Sequence, residues 1–292
     1  MKKWILILAI TLSFTGNVSA SEYKPCTTAE TTAGTCFSCG TTCTARYTEQ
    51  TEQDGTTKGV LTVSGQGSMN DYSTSYNETL QRGQTTAPWK DLDRSIQKVV
   101  IEDGITKIGG GAFYHVKTQE ISIPNTVTQI NWQALQYSAL KELNIPNSVT
   151  IIGTGALNGI ATLQNLVLPS SLTSIGSTAL GNTHFNNLTI EGNVVLTEDM
   201  LKDGTKIPAL SSIQNIYCET TNQSCLDLLN DSQVSSKIRL YEKKSSAYFY
   251  DGKFYQSPAD ISKNNYTKKR IYTVDEANMV AGKKNTFKIR YK

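Results

Sequence analysis

The sequence predicts a parallel-β solenoid of about five coils, each of 22–23 residues. It also predicts a disulfide-rich N-terminal cap and a small C-terminal α+β module. Three observations carry this reading. Residues 99–113 (VVIEDGITKIGGGAF), 121–135 (ISIPNTVTQINWQAL), 143–157 (LNIPNSVTIIGTGAL) and 166–180 (LVLPSSLTSIGSTAL) lie in register, and a degraded copy starts at Leu188. Equivalent residues Ile101, Ile123, Ile145, Leu168 and Ile190 are 22, 22, 23 and 22 apart. One such unit cannot bury its own apolar face, so neighbours must stack. The six cysteines all lie outside the repeats, behind an export-type leader.

Residues 1–20 join Lys2 and Lys3 to an apolar run and then to Val18-Ser19-Ala20. This is the pattern of a secretory signal peptide cleaved after Ala20. Its apolar run is too short to span a bilayer, and no later stretch is apolar enough to do so. The mature chain is therefore expected to be exported.

Residues 21–95 form the expected β lead-in and cap. Cys26, Cys36, Cys39 and Cys43 allow three disulfide pairings, which the sequence does not rank. A zinc site made of the same four thiols is the rival, since Cys36-x-x-Cys39 has ligand spacing. The leader favours disulfides, and no metal or cofactor is expected.

Residues 96–216 hold the repeats, and the third copy shows their logic. Leu143-Asn144-Ile145 alternates like a half-buried strand. Pro146 ends it, because proline lacks an N–H for the ladder. Val149 and Ile152 return to the core. Gly109, Asn131, Gly153 and Gly176 share a slot where a left-handed turn residue is expected. Ala112, Ala134, Ala156 and Ala179 each precede a large apolar residue, as a tight contact beside a core filler would require. Thr106, Thr128, Thr150 and Thr173 recur at one slot and predict a stacked hydroxyl ladder that satisfies turn backbone.

Residues 217–236 are read as a C-terminal cap closed by a Cys218–Cys225 disulfide. Residues 237–292 carry 14 Lys/Arg against 5 Asp/Glu, whereas residues 21–236 carry 12 against 20. That asymmetry places a boundary near residue 237. Residues 237–240 and 247–255 read as strands, with Asp251-Gly252 as a hairpin turn. Residues 272–280 resemble a short capped helix, and 286–291 a closing strand.

The repeat LxIPxxVTxIGxxAL resembles the BspA-like leucine-rich repeats of bacterial secreted and surface proteins. Residues 59–72 (GVLTVSGQGSMNDY) and Ala87-Pro88-Trp89 resemble that family's lead-in, so the likeness covers roughly residues 39–216. It departs at Glu102, where other copies have proline, and at Asn131-Trp132. The resemblance implies a leucine-rich repeat solenoid that is secreted or held on the bacterial cell surface. It also implies a non-enzymatic binding or adhesion module with a protein or glycan ligand.

Contacts are expected at outward strand positions: Glu120, Ser122, Glu142, Asn144, Asn165, Val167, Asn187 and Thr189. Five three-residue strands offer only about 200 Å² of sheet face, against about 800 Å² per partner in a standard interface. Flanking regions must therefore add surface. The alternative is a structural envelope component held by its basic C-terminal segment, with Lys268, Lys269, Arg270, Lys283 and Lys284 facing an anionic surface. Those cations lack the interleaved aromatics of a nucleic-acid module. Both histidines, His115 and His184, read as surface turn residues rather than members of a metal or catalytic cluster. No nucleophile elbow or phosphate loop stands in the required context, so no enzyme is expected.

Overall fold

The computed structural model describes residues 23–184, 186–201, 213–219, 221–227, 237–244, 247–250 and 253–255. The leader, the helix expected over 272–280, the strand expected over 286–291 and all five tail cations lie outside these residues. The described residues are mostly strand, with few and short helices and three disulfides.

The chain begins with a one-turn helix, Thr28–Thr32. Thr27 and Glu30 form a capping box there, which satisfies two end N–H groups reciprocally. Strands Cys36–Gly40, Cys43–Thr51 and Thr57–Gly65 then run as an antiparallel meander. The last of them pairs in parallel with Ile96–Ile101, which pairs in parallel with Glu120–Ser122. The lead-in is thus continuous with the sheet of the repeats. The cysteines pair as Cys26–Cys36 and Cys39–Cys43, which removes all four thiols from any zinc site. Cys218–Cys225 is also closed, as expected, and ties a strand to the helix Gln223–Asp227.

Trp89 anchors the junction between lead-in and repeats. It is fully buried, stacks on Phe113 at 5.8 Å and meets Tyr72 edge-on at 5.5 Å. Its Nε1 donates to the Ala112 carbonyl at 2.9 Å, so burial leaves no orphan donor. Asp71 completes the junction: its carboxylate accepts from Gly110 N, Asn131 Nδ2 and Lys107 Nζ at 2.7–3.1 Å. Burial pushes that carboxyl up, but the three donors outweigh it and hold it below its ordinary value. The departure at Asn131-Trp132 has a purpose here, since the Trp132 ring lies where a side chain on Gly110 would be.

Each of the first four repeat copies adds backbone pairing on a second face. Ile105–Ile108, Gln129–Ile130, Ile151–Ile152 and Ser174–Ile175 form a parallel sheet. The return segments are also laddered without regular strand geometry. Gln133, Leu135 and Tyr137 donate their N–H groups to Thr154, Ala156 and Asn158 of the next copy. The alanines of the small-residue slot, and Phe113, Leu135, Leu157 and Leu180 after them, are fully buried. The threonine slot behaves as expected: Thr128, Thr150 and Thr173 each donate a hydroxyl to the threonine carbonyl of the preceding copy, at 3.1–3.3 Å.

Two expectations are corrected. The left-handed residues are not Gly109, Asn131, Gly153 and Gly176 but those two places later: Gly111, Gln133, Gly155 and Thr178, with φ of 50–62°. Glycine occupies the earlier slot for close approach, because a Cβ on Gly153 would collide with the backbone of Asn131 and Trp132 in the copy beneath. Leu143-Asn144-Ile145, second, keeps its buried–exposed–buried alternation but forms no ladder. The first-face sheet is therefore interrupted at the third copy.

The sheet resumes at Asn165–Leu168, which pairs in parallel with Asn187–Ile190, Asn215–Glu219 and Ile238–Lys244 in turn. The strand at which the basic module was expected to begin thus continues the ladder of the repeats. Antiparallel strands Ala247–Tyr250 and Lys253–Tyr255 follow it.

Candidate binding surface

The eight outward positions fall into three groups by exposure. Glu120, Ser122, Glu142 and Asn144 are exposed; Asn165, Val167 and Asn187 are half-buried; Thr189 is only 1% exposed. Thr189 therefore offers no contact surface. In register it stands between Val167 and Tyr217, and Tyr217 is itself buried.

Glu120 sits in a cluster of alternating charge. Its carboxylate meets Lys58 Nζ at 2.8 Å and Lys98 Nζ at 3.9 Å, and Lys58 also lies 3.9 Å from Glu52. The hydrogen bond from Lys58 holds the Glu120 carboxyl below its usual range, and Glu120 in turn raises the Lys58 ammonium. A lead-in strand and the second repeat copy thus share one mixed-charge patch. Glu142 and Asn144 lie beyond it, on the segment without a ladder.

The other end is organised by amides. Asn187 Nδ2 donates to Asn165 Oδ1 at 2.8 Å, and Asn215 Nδ2 donates to Asn187 Oδ1 at 2.9 Å. Beside this ladder Asn186 Nδ2 donates to Gln164 Oε1 at 2.8 Å. Identical amides stacked at strand spacing bond one another along the sheet axis. Asn165 and Asn187 thus spend amide capacity on the fold.

Sequence reasoning missed Asn215 and Tyr217. The pattern Asn-apolar-x-apolar at Asn165, Asn187 and Asn215 was the available signal, but the second interval is 28 residues rather than 22. His115 was also misjudged: it is half-buried between the rings of Tyr114 and Tyr137, whereas His184 is exposed.

Among the described residues, no group of three or more His, Cys, Asp or Glu side chains is placed to hold a metal ion. No helix among them is long and apolar enough to cross a membrane.

Residues 92–207 match the model of the BspA type leucine-rich repeat region, in six copies. Among solved structures the chain is similar to a leucine-rich repeat protein from Eubacterium ventriosum, with 24% identity and a TM-score of 0.47. That likeness covers 64% of this chain and 44% of the other, so the chain spans less than half of its length. A leucine-rich repeat protein of T. pallidum is 18% identical over 66% of this chain and 94% of its own, with a TM-score of 0.40. The pneumococcal vaccine antigen PcpA is 14% identical over 64% of each chain, with a TM-score of 0.31. No curated protein sequence matches the chain.

Proposed function

We propose, from the membership of residues 92–207 in the BspA-type leucine-rich repeat family, that this chain is a secreted or bacterial cell-surface binding module that acts without catalysis. Repeats of this type are typical of bacterial surface or secreted proteins, and the exposed outward face supports the reading of an adhesion module. In this reading the copies form a solenoid of about five coils, with the cysteine-rich lead-in as its cap.

The observation that carries the reading is the open end of that face. Glu120, Ser122, Glu142 and Asn144 are exposed side by side, next to Lys58 and Lys98 from the lead-in and first copy. The lead-in also supplies the missing area. The five-stranded sheet is about 19 Å wide and the six-stranded sheet about 24 Å, and several of their strands exceed three residues. A mixed-charge surface selects its partner by charge register rather than by bulk attraction.

Binding of the mature chain to arrayed matrix proteins and glycans tests this. Against any ligand found, Glu142→Lys combined with Asn144→Trp should weaken binding by about tenfold, or about 1.4 kcal/mol. Thr189→Ser should leave it unchanged. Equal binding by the wild type and the Glu142/Asn144 variant, for every ligand found, overturns the placement.

A further inference from the structure

Each repeat copy has a second left-handed position in its return segment: His115 at φ 60°, Tyr137 at 59°, Gly159 at 71° and Asn182 at 54°. Glycine and asparagine take this conformation readily, while a bulky side chain there costs about 1–2 kcal/mol. Two copies nevertheless place aromatic rings at it. The rings are not core fillers, since Tyr114, His115 and Tyr137 are all half-buried. One side of the Tyr137 ring lies over Gly159 of the next copy, where a Cβ would collide with it, so packing between copies uses part of the ring and leaves the rest exposed.

The rings gather into one cluster. Ring centroids lie 4.7 Å apart for Tyr114 and His115, 4.6 Å for His115 and Tyr137, and 6.1 Å for Tyr114 and Tyr137. Gly83 backs the cluster, and a Cβ there would collide with the Tyr114 and His115 rings. Tyr76 stands directly opposite Gly83 in the antiparallel pair Thr74–Asn77 and Arg82–Thr85. Directly opposed residues share a face, so Tyr76, 62% exposed, is on the face of this strand pair that Gly83 turns to the rings.

Cations surround these rings. Arg82 pairs with Asp93, whose backbone carbonyl accepts from the Lys117 N–H at 2.7 Å. Lys117 Nζ lies 3.4 Å from the Tyr137 carbonyl. The backbone bond to Asp93 sets Lys117 against residue 93, whose chain neighbour is Arg94, and burial, then Arg82 and Arg94, lower the Lys117 ammonium. Among the described residues neither Lys117 nor Arg94 has a carboxylate within ion-pair distance. Burial, then Lys117 and Arg82, push His115 down to about 4, so its ring is neutral at pH 7. This cation excess lies in a part of the chain, residues 21–236, that is acidic as a whole.

An aromatic face accepts the apolar C–H face of a sugar ring, and unpaired cations accept sulfate or carboxylate. We propose that Tyr137, His115 and Tyr114, with Lys117 and Arg94, form a binding site for an anionic glycan bearing sulfate or uronate groups. The sugar ring lies on the aromatic cluster and its acidic group meets Lys117 and Arg94. This site is on the return segments, apart from the outward strand face, and it stands or falls independently of that face.

The chain has only two histidines, so imidazole C–H proton resonances report the site directly. His115 is the probe and His184 the internal reference. Adding a chondroitin sulfate tetrasaccharide to the full mature chain should shift the His115 signals saturably and leave those of His184 in place. Neutral maltotetraose should shift neither. Tyr137→Gly installs the residue of the next copy, relieves the left-handed strain and should raise the Kd at least about tenfold. Lys117→Gln should raise it about threefold and reduce its salt dependence. An unmoved His115 overturns the proposal, whether the tetrasaccharide binds elsewhere, through the basic tail for example, or not at all. So does a His115 shift that survives Tyr137→Gly unchanged, or equal binding of maltotetraose.

Discussion

The outward face carries the same repeat positions at both ends but uses them in opposite ways. From Lys58 to Asn144 the side chains are charged or polar and mostly exposed, and Glu120 recurs as Glu142 in the next copy. From Asn165 to Asn215 one residue type repeats, and its amides bond one another instead of solvent. A repeated amide both donates and accepts, so it bonds its equivalent in the next copy and becomes part of the scaffold. A repeated carboxylate only accepts, so Glu120 and Glu142 cannot bond each other, and Glu120 turns to Lys58 instead. The chemistry of the repeated residue, and not repetition itself, marks the surface left for a partner.

The sharpest break in this comparison is along one outward row. Tyr217 and Asn144 occupy equivalent positions, yet Tyr217 is 5% exposed while Asn144 is exposed. Tyr217→Ala should cost about 3 kcal/mol, in the range for truncating a buried aromatic. Asn144→Ala should stay within about 0.5 kcal/mol of wild type. Urea denaturation of the two variants measures both, and equal losses would erase the distinction between the ends.

The amide ladder gives the next effect. Asn187 is its middle rung, donating to Asn165 and accepting from Asn215. Asn187→Ala removes two hydrogen bonds and strands a half-buried acceptor and a half-buried donor. A loss of about 2 kcal/mol follows. Asn165→Ala, at the end of the ladder, should lose about half as much in the same urea series.

The charged end responds to pH instead. Glu120 has its carboxyl lowered chiefly by the hydrogen bond from Lys58, which burial opposes and the Lys58, Lys98 and Lys141 charges reinforce. A group whose folded value is depressed adds stability above its unfolded value, about 4.3, and loses it as pH falls through the folded value. Glu120→Gln should therefore cost less than about 1 kcal/mol at neutral pH, since the pair is exposed and screened. The gap between variant and wild type should close as pH falls below the ordinary carboxylate range. Paired denaturation midpoints at the two pH values check this, and added salt should also narrow the gap.

What the sequence revealed of this fold followed from periodicity. Ala156-Leu157 and its equivalents were readable as core because small and large apolar residues recur together. The Thr150 slot was readable as a ladder because the same hydroxyl recurs. The rest depended on geometry between copies. Gly153 looks like a turn glycine in the sequence, but it is glycine because the backbone of Asn131 and Trp132 leaves no room. Nothing in the alternation of Leu143, Asn144 and Ile145 shows that the ladder lapses there. On the candidate surface, Glu142 and Asn144 were found by strand alternation alone. The burial of Thr189 was not, because Tyr217 arrives after an interval of 28 residues rather than 22. His115 and Tyr137 lie at equivalent slots, but the side chains there differ so much between copies that no pattern drew attention to them.

The smallest expected effect tests whether every ladder matters equally. Thr150 Oγ1 donates to the Thr128 carbonyl at 3.3 Å, as Asn187 donates to Asn165. The acceptors differ in what remains after deletion. The Thr128 carbonyl also accepts from the Thr150 N–H at 2.9 Å and, more weakly, from the Ile151 N–H at 3.4 Å. Thr150→Val keeps the side-chain shape and removes only the hydroxyl donor, so no polar group is orphaned. The loss should be about 0.5 kcal/mol, at the low end for a single hydrogen bond. A loss as large as that of Asn187→Ala would show that the hydroxyl positions the turn backbone rather than decorating it. In that case the ladder of the second face, and not only the amides, would fix how one copy sits on the next.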